Sequence, residues 1–156
     1  MQTQNSLGTK ADLAKYRLAK AKEEINDAVT LLKETSYASA NNRIYYAMFH
    51  ILLSIHALDE RETRTHKTAL GEFNRLYIRT NVFDKSYWKK IAQITEARHS
   101  SDYDDFYLPK ESETKENLDF VQDFWEEVKM YCENRIGQEI RITSTSKMFK
   151  NNQLSR

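Results

Sequence analysis

An all-α, up-and-down bundle of about five helices is what this sequence predicts, and three observations predict it. Glycine and proline, the residues that punctuate turns, number only three and one in 156 residues. Apolar residues recur at steps of three and four along most of the chain, the period of one helix face. No stretch alternates apolar and polar residues as a half-buried strand does. With 40% hydrophobic and 30% charged residues, the composition is that of a globular chain, and the length suits one domain around a single core.

Residues 1–10 read as a flexible leader, 11–136 as the helical domain and 137–156 as a basic polar tail. In the first helix, over 11–34, Ala14, Leu18, Ala21, Ile25, Ala28 and Leu32 form one apolar stripe, with Lys20, Lys22, Glu23, Glu24 and Asp27 mostly off it. Thr35 and Ser36 interrupt the stripe, and Ser36 suits the N-cap of the next helix. That second helix, over 37–58, carries Ala40, Ile44, Ala47, Met48, Ile51, Leu52, Ile55 and Leu58. Tyr45, Tyr46, Phe49 and Leu53 extend its apolar surface round most sides, which marks the central, buried helix.

The charged run DERETR at 59–64 is a loop, after which Thr65 can cap a third helix bearing His66, Ala69, Leu70, Phe73, Leu76 and Tyr77. It stops near Thr80–Asn81. Asp84 then reads as an N-cap, with Phe83 and Trp88 spaced as a hydrophobic staple. The fourth helix turns Tyr87, Ile91 and Ile94 inward. The next positions on the same stripe are Arg98 and then Ser101 or Asp102, so an apolar face ends in a guanidinium and a carboxylate. Pro109 closes the following loop. A fifth helix over 112–135 buries Leu118, Val121, Phe124, Trp125, Val128 and Tyr131, and Gly137 marks its end.

Several chemistries are not expected. The lone Cys132 has no disulfide partner, and neither Cys/His ligand spacing nor a His-x-x-x-His pair exists among the four histidines. No metal and no cofactor are therefore expected, and there is no glycine-rich loop for a nucleotide fold. His50 and His56 lie in the most buried helix and read as satisfied core histidines. The N-terminus lacks an apolar signal region, and the longest apolar run, 44–55, is too short for a bilayer, which takes about 20 residues. A cytoplasmic location with no membrane association is the expectation.

The net charge of +1 is unevenly spread. Residues 61–90 hold eight Lys/Arg against three Asp/Glu, and residues 96–133 hold four against twelve. Two readings stand: solvated helix faces of opposite sign, or a basic face for nucleic acid, nucleotide or an acidic partner.

The stretch TEARHSSDYDDFY, 95–107, concentrates the functional question. In one reading Arg98 is a helix-end arginine that folds back to water or pairs with Asp102, four residues on. In the other it points into a cleft where its planar fork holds a phosphate. Asp102 then orients it, and Tyr103 offers a hydroxyl or a stacking ring. His99 follows Arg98 by one residue and projects about 100° round the helix, toward the surface. Asp104 and Asp105 make the local field negative, unlike an open RNA groove.

The segments AKAKEEINDAVTLLKE (19–34), SYASANNRIYYAMFHILLS (36–54), THKTALGEFNRLYI (65–78) and ARHSSDYDD (97–105) together resemble the HEPN superfamily of small helical prokaryotic proteins. The closest likeness is to its short, stand-alone, uncharacterised branch, over about residues 12–135. The resemblance implies a bundle of four or five helices that pairs as a homodimer and brings two Arg…His motifs into one composite cleft. It implies metal-independent endoribonuclease activity of the kind used by toxin–antitoxin and anti-phage modules. It also implies a minimal nucleotidyltransferase as partner, which in some pairs adds a nucleotide to a tyrosine near the motif.

Carried over by position, Arg98 matches the motif arginine and His99 the polar residue after it. Asp102 and Tyr103 complete the catalytic set that the resemblance implies. The motif histidine, five to seven positions after the arginine, is absent: Tyr103, Asp104 and Asp105 occupy its place. Arg98, Tyr103, His66 and Lys67 are the candidate RNA- or nucleotide-binding residues, and Tyr103 and Tyr107 the candidate modification sites. The alternative to a nuclease is a non-catalytic dimeric scaffold that docks a nucleotidyltransferase or another protein.

Overall fold

A computed structural model of the protein describes residues 2–137 and 139–142, with side chains from residue 10 onward. Five helices follow one another: α1 (Gln2–Lys33), α2 (Tyr37–Leu58), α3 (His66–Phe73), α4 (Ser86–Tyr103) and α5 (Glu111–Ile136). No strand occurs among the described residues, so the all-α bundle is the observed fold. No described helix is long and apolar enough to cross a membrane.

α2 is the centre, packed against every other helix. Ile44, Met48, Ile51, Leu52 and Ile55 are no more than 1% exposed, as the apolar belt of the sequence requires. The α1 stripe from Ala14 to Ala28 is equally buried against it. The two helices run antiparallel, since Arg17 reaches His50 and Glu24 reaches Arg43 across the seam. α5 closes over both, and its Trp125 Nε1–H donates to the Leu18 carbonyl at 2.8 Å.

The helix ends depart from the sequence reading in instructive ways. α1 begins at Gln2, well before its apolar stripe starts at Ala14. Ser36 takes the N-cap position of α2 without a capping hydrogen bond, whereas Thr65 does cap α3, accepting from Thr68 N–H at 3.1 Å. Asp84 acts one residue further out than expected: α4 starts at Ser86, and the Asp84 carboxylate accepts from the Ser86 N–H at 2.8 Å. α3 ends at Phe73 and continues as a π turn, Asn74–Ile78. Tyr77 and Ile78, at the end of this turn, are both buried.

On α5, Tyr131, expected inside, is only half-buried, while its neighbour Cys132 is fully buried. Beyond Gly137, Ile140 is buried and its N–H donates to Glu133 Oε2 at 3.2 Å, so the chain packs on the domain past the end of α5. The rest of the predicted tail, 143–156, lies outside the described residues.

Candidate functional site

The first half of α2 presents a polar and aromatic face in an otherwise apolar helix: Asn41, Asn42, Tyr45, Tyr46 and Phe49, all within two turns. The end of α4 packs on this face. Asn41 Nδ2 donates to Ser101 Oγ at 3.2 Å, and Asn42 Nδ2 donates to Asp102 Oδ2 at 3.1 Å. These contacts join residues 60 apart in sequence and fix how Arg98 enters the seam.

Arg98 is held on its flat faces more than at its donors. Its guanidinium carbon lies 4.8 Å from the Tyr45 ring centre, 5.6 Å from that of Tyr46 and 6.0 Å from that of Tyr103. Nη2 donates to the Tyr46 hydroxyl at 3.2 Å. Asp102 Oδ2 is 3.2 Å from Nε, an ion-pair distance, yet the N–H is not aimed along a hydrogen bond and Nε has no hydrogen-bond partner. The pairing with Asp102 four residues on is therefore present, and the guanidinium lies against aromatic rings with its buried Nε short of a hydrogen-bond partner.

α3 contributes His66. Its Nδ1 is 2.8 Å from the Tyr45 hydroxyl, and its ring packs 4.0 Å from Phe49, centre to centre. Burial first, and the Arg98 charge second, hold the imidazole below its ordinary pKa, favouring a neutral ring at neutral pH. Burial is also the main reason that the Tyr45 phenol is pushed up, so it remains protonated.

The other sequence-predicted residues are distributed around this core. His99 is exposed, as its helical direction requires, and its ring lies 5.0 Å from that of Tyr103. It nevertheless shares with Arg98 an apolar hollow of about 440 Å³ between α3 and α4, floored by Leu70, Trp88 and Ile91. Tyr103 is 68% exposed at the end of α4. Tyr107 is half-buried in a separate hollow with Glu96 and Glu113; burial first and then these carboxylates raise its pKa. Lys67 is exposed one residue beyond His66.

Arg98, Asp102 and, through Tyr45, His66 are therefore brought together, while His99, Tyr107 and Lys67 flank them. Tyr45 and Tyr46, which the sequence reading assigned only to the buried belt, and Asn41 and Asn42, to which it gave no role, also belong to this seam. The signal that could have found them is the pair of asparagines one turn ahead of the pair of tyrosines, since side-chain amides are out of place on a fully buried helix.

The fold and this seam define a class, a small all-α bundle that presents one arginine among tyrosines where the end of its fourth helix crosses its second. The HEPN domain model matches residues 14–131, and the chain belongs to the HEPN family. A "UPF0332 protein" of Thermotoga maritima is 27% identical over 128 residues, covering 82% of this chain and 97% of that one. A protein of Methanocaldococcus jannaschii named "Putative toxin" is 27% identical over 114 residues, covering 73% of this chain and 78% of its own.

Proposed function

We propose that this HEPN protein acts in a toxin-type or defence-type module, and that it binds single-stranded RNA by a backbone phosphate at Arg98. The observation that carries this is the state of Arg98: charged, oriented by three rings and Asp102, and with Nε free of a hydrogen-bond partner. A guanidinium so held offers its fork to a phosphate with little ordering left to do. Tyr103, exposed beside it, suits an unstacked base. The relative named as a toxin supports the same module type.

Cleavage requires a group that exchanges protons near neutral pH. With no histidine after Arg98 in the motif position, His66 is the imidazole joined to the Arg98 tyrosines, and His99, whose ring lies beside that of Tyr103, is the alternative. Binding of a labelled single-stranded RNA, RNA cleavage and growth arrest on expression test the reading. Arg98→Ala should weaken RNA binding about tenfold, the scale of one good charged contact. Wild type and Arg98→Ala behaving alike in all three assays sinks it.

A second reading, a dimeric docking module, is favoured by one patch. Tyr103, Phe106 and Leu108 are 68%, 94% and 85% exposed at and just after the end of α4. Apolar residues so exposed and so close together suit a second copy of this chain or a nucleotidyltransferase. Such a partner would find Tyr103 the more accessible phenol for a nucleotidyl group, since Tyr107 is half-buried among carboxylates. Intact mass after co-expression with a nucleotidyltransferase, and the sedimentation behaviour of Phe106→Ser, decide between this reading and the first. A monomer whose mass never shifts excludes it.

A further inference from the structure

A second hollow, of about 420 Å³, opens between the start of α1, the second half of α2 and the loop 59–65. Part of its wall is apolar and reaches water: Leu13 is 43% exposed, and Phe49 and Leu53 lie behind it. Three arginines border it, Arg17, Arg61 and Arg64, against the single carboxylate of Glu62. Arg61 lies 3.7 Å from Glu72, but Arg17 and Arg64 meet no carboxylate among the described residues.

His56 lines the same hollow and is only 1% exposed. Its Nε2 is 3.0 Å from the Ala69 carbonyl, which can only accept, so Nε2 carries the proton and Nδ1 presents a lone pair. That lone pair is buried and has no partner. Burial, partly offset by the bond to Ala69, lowers the pKa of the ring, so it stays a neutral acceptor at neutral pH. A buried acceptor left open by the chain is met by an ordered water or by a donor that a ligand brings.

The hollow is not isolated from the Arg98 seam. His66 borders it, stacks on Phe49 and meets the hydroxyl of Tyr45, over whose ring Arg98 lies. A ligand that spans His66 therefore touches both places.

We propose that this hollow is a nucleoside-phosphate subsite, taking the nucleotide next to the one whose phosphate Arg98 holds. Its phosphate meets Arg17 and Arg64, its base lies on Leu13 and Leu53, and an N–H or O–H of the nucleoside reaches the buried His56 Nδ1 through a bridging water. The inference rests on the proposed RNA reading of Arg98 and extends it into a track that passes His66. Basic side chains alternate along this track with apolar or aromatic surface, the combination that holds single-stranded nucleic acid without reading its sequence.

The test compares wild type, Arg17→Ala/Arg64→Ala and Arg98→Ala by fluorescence anisotropy with a labelled ten-nucleotide single-stranded RNA, and by titration with AMP. The double variant should lose about tenfold in affinity for the RNA, and its salt slope should fall by about 0.7 per lost phosphate contact. In wild type, the ring ¹⁵N signal of His56 should move on RNA addition as Nδ1 gains a donor. If Arg98→Ala weakens RNA binding while the double variant and the His56 signal are unchanged, the subsite is wrong and the Arg98 reading stands. If AMP binds, and only AMP binding is lost in the double variant, the site serves a free nucleotide and the track is overturned. If the double variant weakens RNA binding while Arg98→Ala does not, the subsite stands and the Arg98 reading fails. Circular dichroism of both variants guards against loss of fold.

Discussion

The protein builds the same three residue types, arginine, tyrosine and aspartate, into both ends of α2, and uses them differently. At the far end, Arg135 of α5 donates to Asp59 Oδ1 at 2.7 Å and to the Tyr131 hydroxyl at 2.9 Å. The other oxygen of Asp59 accepts from Tyr77, which the π turn delivers. Every partner there is matched, and the result is a clasp that ties α2, α3 and α5 together. At the near end, Arg98 meets rings on several sides, one hydroxyl, and a carboxylate that Nε does not hydrogen-bond. Asp102 also spends Oδ2 on Asn42. The composition of a cluster therefore does not distinguish glue from site. The unfilled donor is what sets the two ends apart.

Breaking each cluster in turn should separate stability from binding. Asp59→Ala leaves the Tyr77 hydroxyl and Arg135 without their acceptor, and should cost about 2 kcal/mol of unfolding free energy in urea, with RNA affinity unchanged. Arg98→Ala should do the reverse: about a tenfold loss of RNA affinity, equivalent to about 1.4 kcal/mol, with an unfolding midpoint near that of wild type. Should Arg98→Ala unfold as readily as Asp59→Ala, the near end is a second clasp and the contrast collapses.

Much of this was legible in the sequence, for a physical reason. Helical stripes are local, so the steps from Ala14 to Ala28 and from Tyr87 to Ile94 located the buried faces, and continuing the second stripe led to Arg98. Thr65 was readable as a cap because capping involves only neighbours in sequence. What escaped was non-local or set by one extra residue. Nothing periodic says that Asn41 and Asn42 meet Ser101 and Asp102 across 60 residues, and Tyr45, which is core as its spacing says, gives no sign that its ring also carries Arg98. The π turn Asn74–Ile78 inserts one extra residue into the helix, which no three-or-four spacing announces. His56 reads as a satisfied core histidine, and half of its ring is one; the open Nδ1 appears only once the packing is known.

Acid should sharpen the contrast further. Burial, reinforced by the Arg17 charge, lowers the His50 pKa to about 4, against an ordinary 6.5; burial also lowers those of His56 and His66. Arg17 Nη1 is 3.4 Å from His50 Nδ1 and can only donate, which fits a neutral ring. As pH falls below 6.5 the unfolded chain binds protons that the folded chain refuses. Stability is thus complete above pH 6.5 and is lost progressively toward pH 4. His50→Gln should flatten this slope in urea titrations at stepped pH. Asp59→Ala should leave the slope alone, because a carboxyl held below its ordinary 3.8 gives up its contribution only at lower pH. A slope in His50→Gln equal to that of wild type would contradict the placement of Arg17 against this ring.

The smallest effect lies outside both clusters, in the turn that sets the pairing of α1 with α2. Thr35 adopts φ +61°, a left-handed conformation costly for a β-branched residue, while Gly137 fills the equivalent place after α5 at φ +78°. The Thr35 N–H donates to the Leu32 carbonyl at 3.0 Å and the Ser36 N–H to that of Leu31 at 2.9 Å, so the conformation is fixed by the α1 carbonyls it satisfies. Thr35 is exposed, and its side chain has no packing to lose. Thr35→Gly should relieve about 1–2 kcal/mol of strain against about 0.5–1 kcal/mol of added chain entropy, a net gain of roughly 0.5 kcal/mol. Gly137→Ala should cost about 1 kcal/mol by the same conformational rule. Neither change touches an arginine of the seam or the groove, so RNA affinity should stay at the wild-type value in both. A Thr35→Gly protein that melts lower than wild type would mean that the turn is held by something other than the backbone bonds to Leu31 and Leu32.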